Sequence, residues 1–73
     1  MTYGYDQVLD AMDKGAVELL VISDILVRHA DGEKLLRKNR DINGDFIIIN
    51  TMHEAGKKFE GIGGVAALLR YRI

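Results

Sequence analysis

Gly61-Ile62-Gly63-Gly64-Val65-Ala66 has the letters of G-x-G-x-x-A, a run that in dinucleotide-binding proteins brings the backbone against a pyrophosphate at a helix N-terminus. That chemistry needs a strand before the glycines and a helix after them. Here a helical pattern precedes and a β-rich segment follows, so the run reads as a flexible helix-to-strand turn. His29 and His53 are the two histidines, each with a carboxylate nearby in sequence, Asp31 and Glu54. Two imidazoles and a carboxylate can hold a metal. Their spacing matches no compact metal motif, and both fall where a loop or an exposed first helical turn is expected. Ser23, Asp24 and His53 carry the groups of a hydrolase triad. Ser23 lacks the G-x-S-x-G elbow that would expose its hydroxyl, and Asp24 follows it directly, which suits a strand-end turn. The reading is therefore of a chain without catalytic residues, metal or cofactor.

Binding surfaces remain. Lys34, Arg37, Lys38 and Arg40 can neutralise phosphates or meet an acidic protein surface, but no aromatic residue lies among them for base stacking. Tyr3, Gly4 and Tyr5 place two aromatics around a glycine near one terminus, and Arg70, Tyr71 and Arg72 lie near the other. Tyrosine and arginine are enriched at the centres of interfaces, although each of these residues also suits the edge of a core. Up to Asp24 the acids Asp6, Asp10, Asp13, Glu18 and Asp24 oppose only Lys14, a net of −4, whereas the remainder carries nine bases and six acids, a net of +3. An acidic side and a basic side are expected, and solvated helix faces account for the same pattern.

The elements that must position these groups follow from periodicity. Tyr5, Val8, Leu9 and Met12 form one stripe of an amphipathic helix whose other face is Asp6, Gln7, Asp10 and Asp13. Gly15 should end it. Val17 to Ile22 is short and apolar, a buried strand. A second helix is expected from an Asp31 N-cap, burying Leu35, Leu36, Asn39 and Ile42, presenting the four basic residues outward and stopping at Gly44. Phe46 to Ile49 leaves no solvent face, so this strand is expected to be covered on both sides, as in a parallel sheet between helices. Strand, basic helix and strand make a βαβ unit. Thr51 and Glu54 spell a capping box for a third helix reaching about Phe59, and a closing strand is expected from about Ala66, with Val65, Leu68, Leu69, Tyr71 and Ile73 as candidates for burial.

At 73 residues there is room for one domain, and a chain of this size buries only roughly 60% of its unfolded surface. Hydrophobic residues make up 48% and charged ones 29%, a globular rather than a disordered composition. With no cysteine, neither disulfides nor thiolate zinc sites compensate for small size. No apolar run approaches a membrane span and the start lacks the pattern of a secretory signal, so a cytoplasmic protein without a membrane partner is expected.

Three segments together resemble a known family. Tyr3-Gly4-Tyr5 onward through Gly15-Ala16-Val17-Glu18-Leu19-Leu20-Val21-Ile22-Ser23-Asp24, then Met52-His53-Glu54-Ala55-Gly56, then Gly63-Gly64-Val65-Ala66-Ala67-Leu68-Leu69-Arg70-Tyr71-Arg72-Ile73, resemble the C-terminal domain of the class 1 peptide chain release factor and Pelota family. The His53-Glu54-Ala55-Gly56 run looks like the archaeal Pelota branch, and the ending is compatible with either branch. Leu26 to Asp45 matches least.

The resemblance implies a three-layer α/β/α sandwich with a mixed sheet, similar to ribosomal proteins that bind kink-turn RNA. It implies that residues 1–73 are the C-terminal domain of a larger, three-domain protein. Peptide release and any endonuclease activity belong to other domains of such proteins. The implied role is docking, onto a translational GTPase resembling elongation factor 1-alpha and onto a ribosome-recycling ABC-type ATPase, at the ribosome, in ribosome rescue and messenger RNA surveillance. Tyr3, Gly4, Tyr5, Asp6, Arg70 and Tyr71 are the candidate partner-binding residues. Lys34, Arg37, Lys38 and Arg40 are candidates for RNA or an acidic surface. The alternatives are the C-terminal domain of an archaeal release factor and a divergent kink-turn RNA-binding module. In the RNA binders a glycine-asparagine-glutamate run opens the first helix. Gly4, Tyr5 and Asp6 stand at the matching positions here, followed by Asp10 and Asp13, whose charges should repel phosphate.

Overall fold

In the computed structural model, which describes residues 1–52 and 54–70, the first helix closes as its glycine requires. Helix α1 (Tyr5–Asp13) follows a two-residue strand, β1 (Thr2–Tyr3). Gly15 takes a φ of +67°, and Ala16 N–H donates to the Ala11 carbonyl at 2.9 Å while Gly15 N–H donates to that of Met12 at 2.9 Å. This left-handed closure satisfies two carbonyls that a continuing helix would have used. Val8, Ala11 and Met12 are buried, Tyr5 and Leu9 pack against them at the rim, and Asp6, Gln7, Asp10 and Asp13 are exposed.

Strand β2 (Val17–Ser23) runs straight into a short helix, α2 (Asp24–Val27), which periodicity does not assign. Ser23 makes the turn, its hydroxyl accepting from Leu26 N–H at 3.0 Å as an N-cap. Helix α3 (Ala30–Asp41) corrects the expected start. His29, not Asp31, is its N-cap residue and makes no side-chain capping bond, and Asp31 lies in the first turn, where its charge still favours the helix dipole. At the other end Leu35 and Asn39 are buried, but Ile42 is the C-cap and exposed, because the helix stops at Asp41 and the chain reverses through Asn43 at φ +53°.

Strand β3 (Asp45–Ile49) lies parallel to β2, with Leu20 opposite Phe46 and Ile22 opposite Ile48. Helix α4 (Glu54–Gly61) leads to β4 (Val65–Leu69), antiparallel to β2 and to β1. The order β1-β4-β2-β3 gives a four-stranded mixed sheet. Helices α1 and α3 cover one face over a core of Val8, Met12, Leu20, Ile22, Leu35 and Val65, and α4 packs on the other, completing the three-layer sandwich.

Three further expectations are corrected. Phe46, Ile47 and Ile48 are 48–50% exposed rather than covered on both sides. The reason is position: β3 is an edge strand with a neighbour on one side only, and four apolar residues in a row imply two-sided cover only for an interior strand. Thr51 does not act as the N-cap of a box with Glu54, because α4 begins at Glu54 itself, and the Thr51 hydroxyl donates instead to Asp24. Val65 and Ala67 are fully buried in β4, but Leu68 is 36% exposed on the opposite face. Tyr71 and Ile73, the other residues expected to be buried at this end, lie outside the described residues.

Candidate partner-binding surfaces

The glycines of the G-x-G-x-x-A run are explained by turn geometry. Gly63 and Gly64 have φ of +112° and +71°, and a helix precedes them and a strand follows, so no helix starts from the run as the fingerprint requires. A Cβ on Gly64 would stand 2.9 Å from the Ser23 hydroxyl and 2.6 Å from a carboxylate oxygen of Glu60. Ser23 is itself fully buried. Its hydroxyl serves as a cap and faces no substrate space. His29 is exposed at the start of α3, His53 lies outside the described residues, and among the described residues no three metal-ligating side chains converge.

Gly4 builds the corner between β1 and α1. Its φ of +88° and ψ of +153° are open to glycine and costly for other residues. Its N–H donates to the Val65 carbonyl at 3.0 Å and its carbonyl accepts from Val8 N–H at 3.0 Å, so the corner is stitched to β4. The two tyrosines beside it part company. Tyr3, the last residue of β1, is 49% exposed, whereas Tyr5 turns inward and packs against the core. Asp6 is exposed in the first turn of α1.

Arg70 is not gathered at this corner. Its N–H donates to the Ala16 carbonyl at 2.7 Å and its Nε to the Val17 carbonyl at 3.2 Å, fixing it at the start of β2. Tyr3 pairs with Ala66, four residues back along β4, roughly 13 Å away at the rise of a strand. Tyr71 lies outside the described residues. The candidate partner residues thus form a Tyr3-Gly4-Asp6 corner and a separate Arg70 position, with Tyr5 supporting the first from beneath.

The basic quartet also divides. Lys38 leans toward α1 and pairs with Asp13 at 3.0 Å, which joins the acidic and basic helices on one face of the sheet. Arg37 and Arg40 instead border a groove between α3 and the start of β3, about 710 Å³, floored by Leu36 and Phe46. Lys34 is exposed on the solvent side of α3. Beneath the groove Asn39, 1% exposed, donates from Nδ2 to the carbonyls of Gly44 and Asp45 at 3.2 and 3.3 Å, holding the α3–β3 turn.

On the opposite face the strand registers place Tyr3, Ala66, Val21 and Ile47 in one row across the sheet, exposed at both ends and covered in the middle. At the C-terminal end of β2, Asp24 accepts the Thr51 hydroxyl at 2.7 Å and its N–H at 3.2 Å. The Thr51 hydroxyl, with lesser help from backbone N–H groups and the Arg28 charge, holds the Asp24 carboxyl below its usual range against a desolvation cost. Neither this pair nor the groove was expected from the sequence. A Ser-Asp start before Ile25 and Leu26 was the available signal for α2, and nothing local signals the groove.

The mixed sheet of this order and its helices share the fold of a domain found in translation termination factors and in Pelota. The chain belongs to the eRF1 domain 3 family, whose model it matches over residues 1–73. Its relatives include the protein pelota homolog of Methanothrix thermoacetophila, 46% identical over 71 residues, covering 97% of this chain and 20% of that protein. Among solved structures it is similar to the Thermoplasma acidophilum Pelota protein, at 32% identity and a TM-score of 0.88 over 99% of this chain and 23% of that one. It is also similar to a chain from a structure of ribosome-bound archaeal Pelota and ABCE1, at 36% identity and a TM-score of 0.82 over 99% of this chain and 21% of that one. The chain spans about a fifth of the length of the curated relatives it matches. No helix among the described residues is long and apolar enough to cross a membrane.

Proposed function

We propose that this domain is a cytoplasmic, non-catalytic adaptor of a Pelota-type ribosome-rescue factor, forming the C-terminal part of a longer, three-domain protein. It docks a translational GTPase resembling elongation factor 1-alpha and then a ribosome-recycling ABC-type ATPase, in messenger RNA surveillance on stalled ribosomes. The observation that carries this reading is the whole-domain likeness to a chain from the structure of ribosome-bound archaeal Pelota and ABCE1. The corner of Tyr3, Gly4 and Asp6 suits it: a half-exposed aromatic beside an acidic helix face matches a basic protein surface better than a phosphate backbone.

Isothermal titration calorimetry of the chain against archaeal elongation factor 1-alpha loaded with GTP, with a kink-turn RNA titrated in parallel, tests the proposal. Saturable GTPase binding that Tyr3→Ala weakens, with no RNA response, is the expected result. Tight RNA binding without a GTPase response would replace the adaptor reading with that of a divergent RNA-binding module.

A further inference from the structure

Beyond the exposed Asp45 at its start, the outer edge of β3 has few of the devices that usually blunt an exposed strand. Asp45 to Ile49 contains no lysine or proline, and its three central residues are each about half exposed. Among the described residues, no strand lies beside the main-chain groups that face away from β2. At the Phe46 end of this strand opens the groove beside α3, lined by the apolar Leu36 and Phe46 and by the cationic Arg37 and Arg40. The two ion pairs among the described residues use Lys14 and Lys38, and neither involves Arg37 or Arg40, although Glu33 lines the same groove.

We infer that the β3 edge and the α3 groove together receive an extended acidic segment of a protein partner by strand addition. The segment's main chain continues the sheet beyond β3. Its alternate apolar side chains fall on Phe46 and Leu36, and its carboxylates reach the Arg37 and Arg40 guanidinium groups. Charge selects this occupant over a second copy, and the want of stacking aromatics selects it over a nucleic acid. A second copy pairing edge to edge about a two-fold axis would set one α3 beside the other and oppose the same arginines. A nucleic acid would find only a single aromatic in the groove lining, Phe46, on which to stack a base. This surface lies apart from the Tyr3 corner and does not depend on the rescue reading.

Fluorescence anisotropy with a labelled nine-residue peptide alternating glutamate and valine tests the inference, alongside a lysine-for-glutamate peptide, a copy N-methylated at two adjacent central residues and a single-stranded oligouridine. The expected result is saturable binding of the glutamate peptide with amide shifts along β3. Binding should weaken about tenfold or more with the N-methylated copy and with the R37E/R40E variant, whose melting transition confirms that it folds. Absence of binding at about 1 mM, equal binding of the lysine peptide, undiminished binding to folded R37E/R40E, or displacement of the peptide by oligouridine would each overturn it.

Discussion

Thr51 directs both its hydroxyl and its backbone N–H at one oxygen of Asp24, at 2.7 and 3.2 Å, so the start of α2 is tied to the loop after β3 across 27 residues of sequence. The bond closes the end of the β2–β3 pair where the strands leave the sheet. It also couples the ionisation of Asp24 to the fold. Its folded pKa is depressed, chiefly by the Thr51 hydroxyl. The stabilisation is therefore present above the unfolded-chain value and is lost as the pH falls through the carboxylate range. Asp24→Asn should be less stable than the parent at neutral pH, and the difference should shrink as the pH falls and the folded carboxyl takes up its proton. Urea unfolding across that range checks this, and parallel curves for the two proteins would refute it.

Gly32 and Gly61 both lie in helices, and helix propensity alone gives alanine an advantage of up to about 1 kcal/mol at either position. The structure separates them. A Cβ on Gly32 would overlap the Leu26 carbonyl where α3 rests on α2, whereas one on Gly61 meets nothing. Gly32→Ala should destabilise the domain by about 2 kcal/mol or more, and Gly61→Ala should be neutral or stabilising within about 0.5 kcal/mol. Chemical denaturation of the two variants side by side decides the matter.

Tyr3 and Tyr5 differ in the same way. Replacing Tyr5 by alanine removes packing at the rim of the core and should cost about 1–3 kcal/mol, less than a fully buried aromatic. Tyr3→Ala should change stability by no more than about 0.5 kcal/mol and act on partner binding instead. Thermal melts paired with the GTPase titration separate the two roles. A destabilised Tyr3→Ala would move Tyr3 into the fold and out of the interface.

Asn39 holds the α3–β3 turn with two donations from its amide, so Asn39→Ala should cost about 1–3 kcal/mol. Asn39→Asp should cost more, because a carboxylate cannot donate and would be buried against the Gly44 and Asp45 carbonyls. If the aspartate variant melts no lower than the alanine variant, the amide donors are not what holds the turn.

Much of this architecture was present in local sequence. The α1 stripe of Val8 and Met12, the Gly15 stop, the apolar β2 and the parallel β2-α3-β3 unit follow from patterns within a few residues of each other. The Gly63-Gly64 turn was readable because its context, helix before and strand after, is also local. The family resemblance extended to the whole sandwich what periodicity gave in pieces.

Tertiary structure alone decided the rest. Phe46 to Ile48 carry the pattern of a covered strand, yet strand order leaves β3 at an edge, and order is set by pairings between residues distant in the chain. Tyr3 and Tyr5 are two residues apart and chemically alike, but the antiparallel pairing of Tyr3 with Ala66 and the turn at Gly4 send one outward and the other into the core. Lys38 and Arg37 are adjacent in a basic run, and the packing of α1 beside α3 gives Lys38 an aspartate while Arg37 borders the groove. Periodicity fixes which residues can share a face. Only the packed sheet and its helices fix what that face meets.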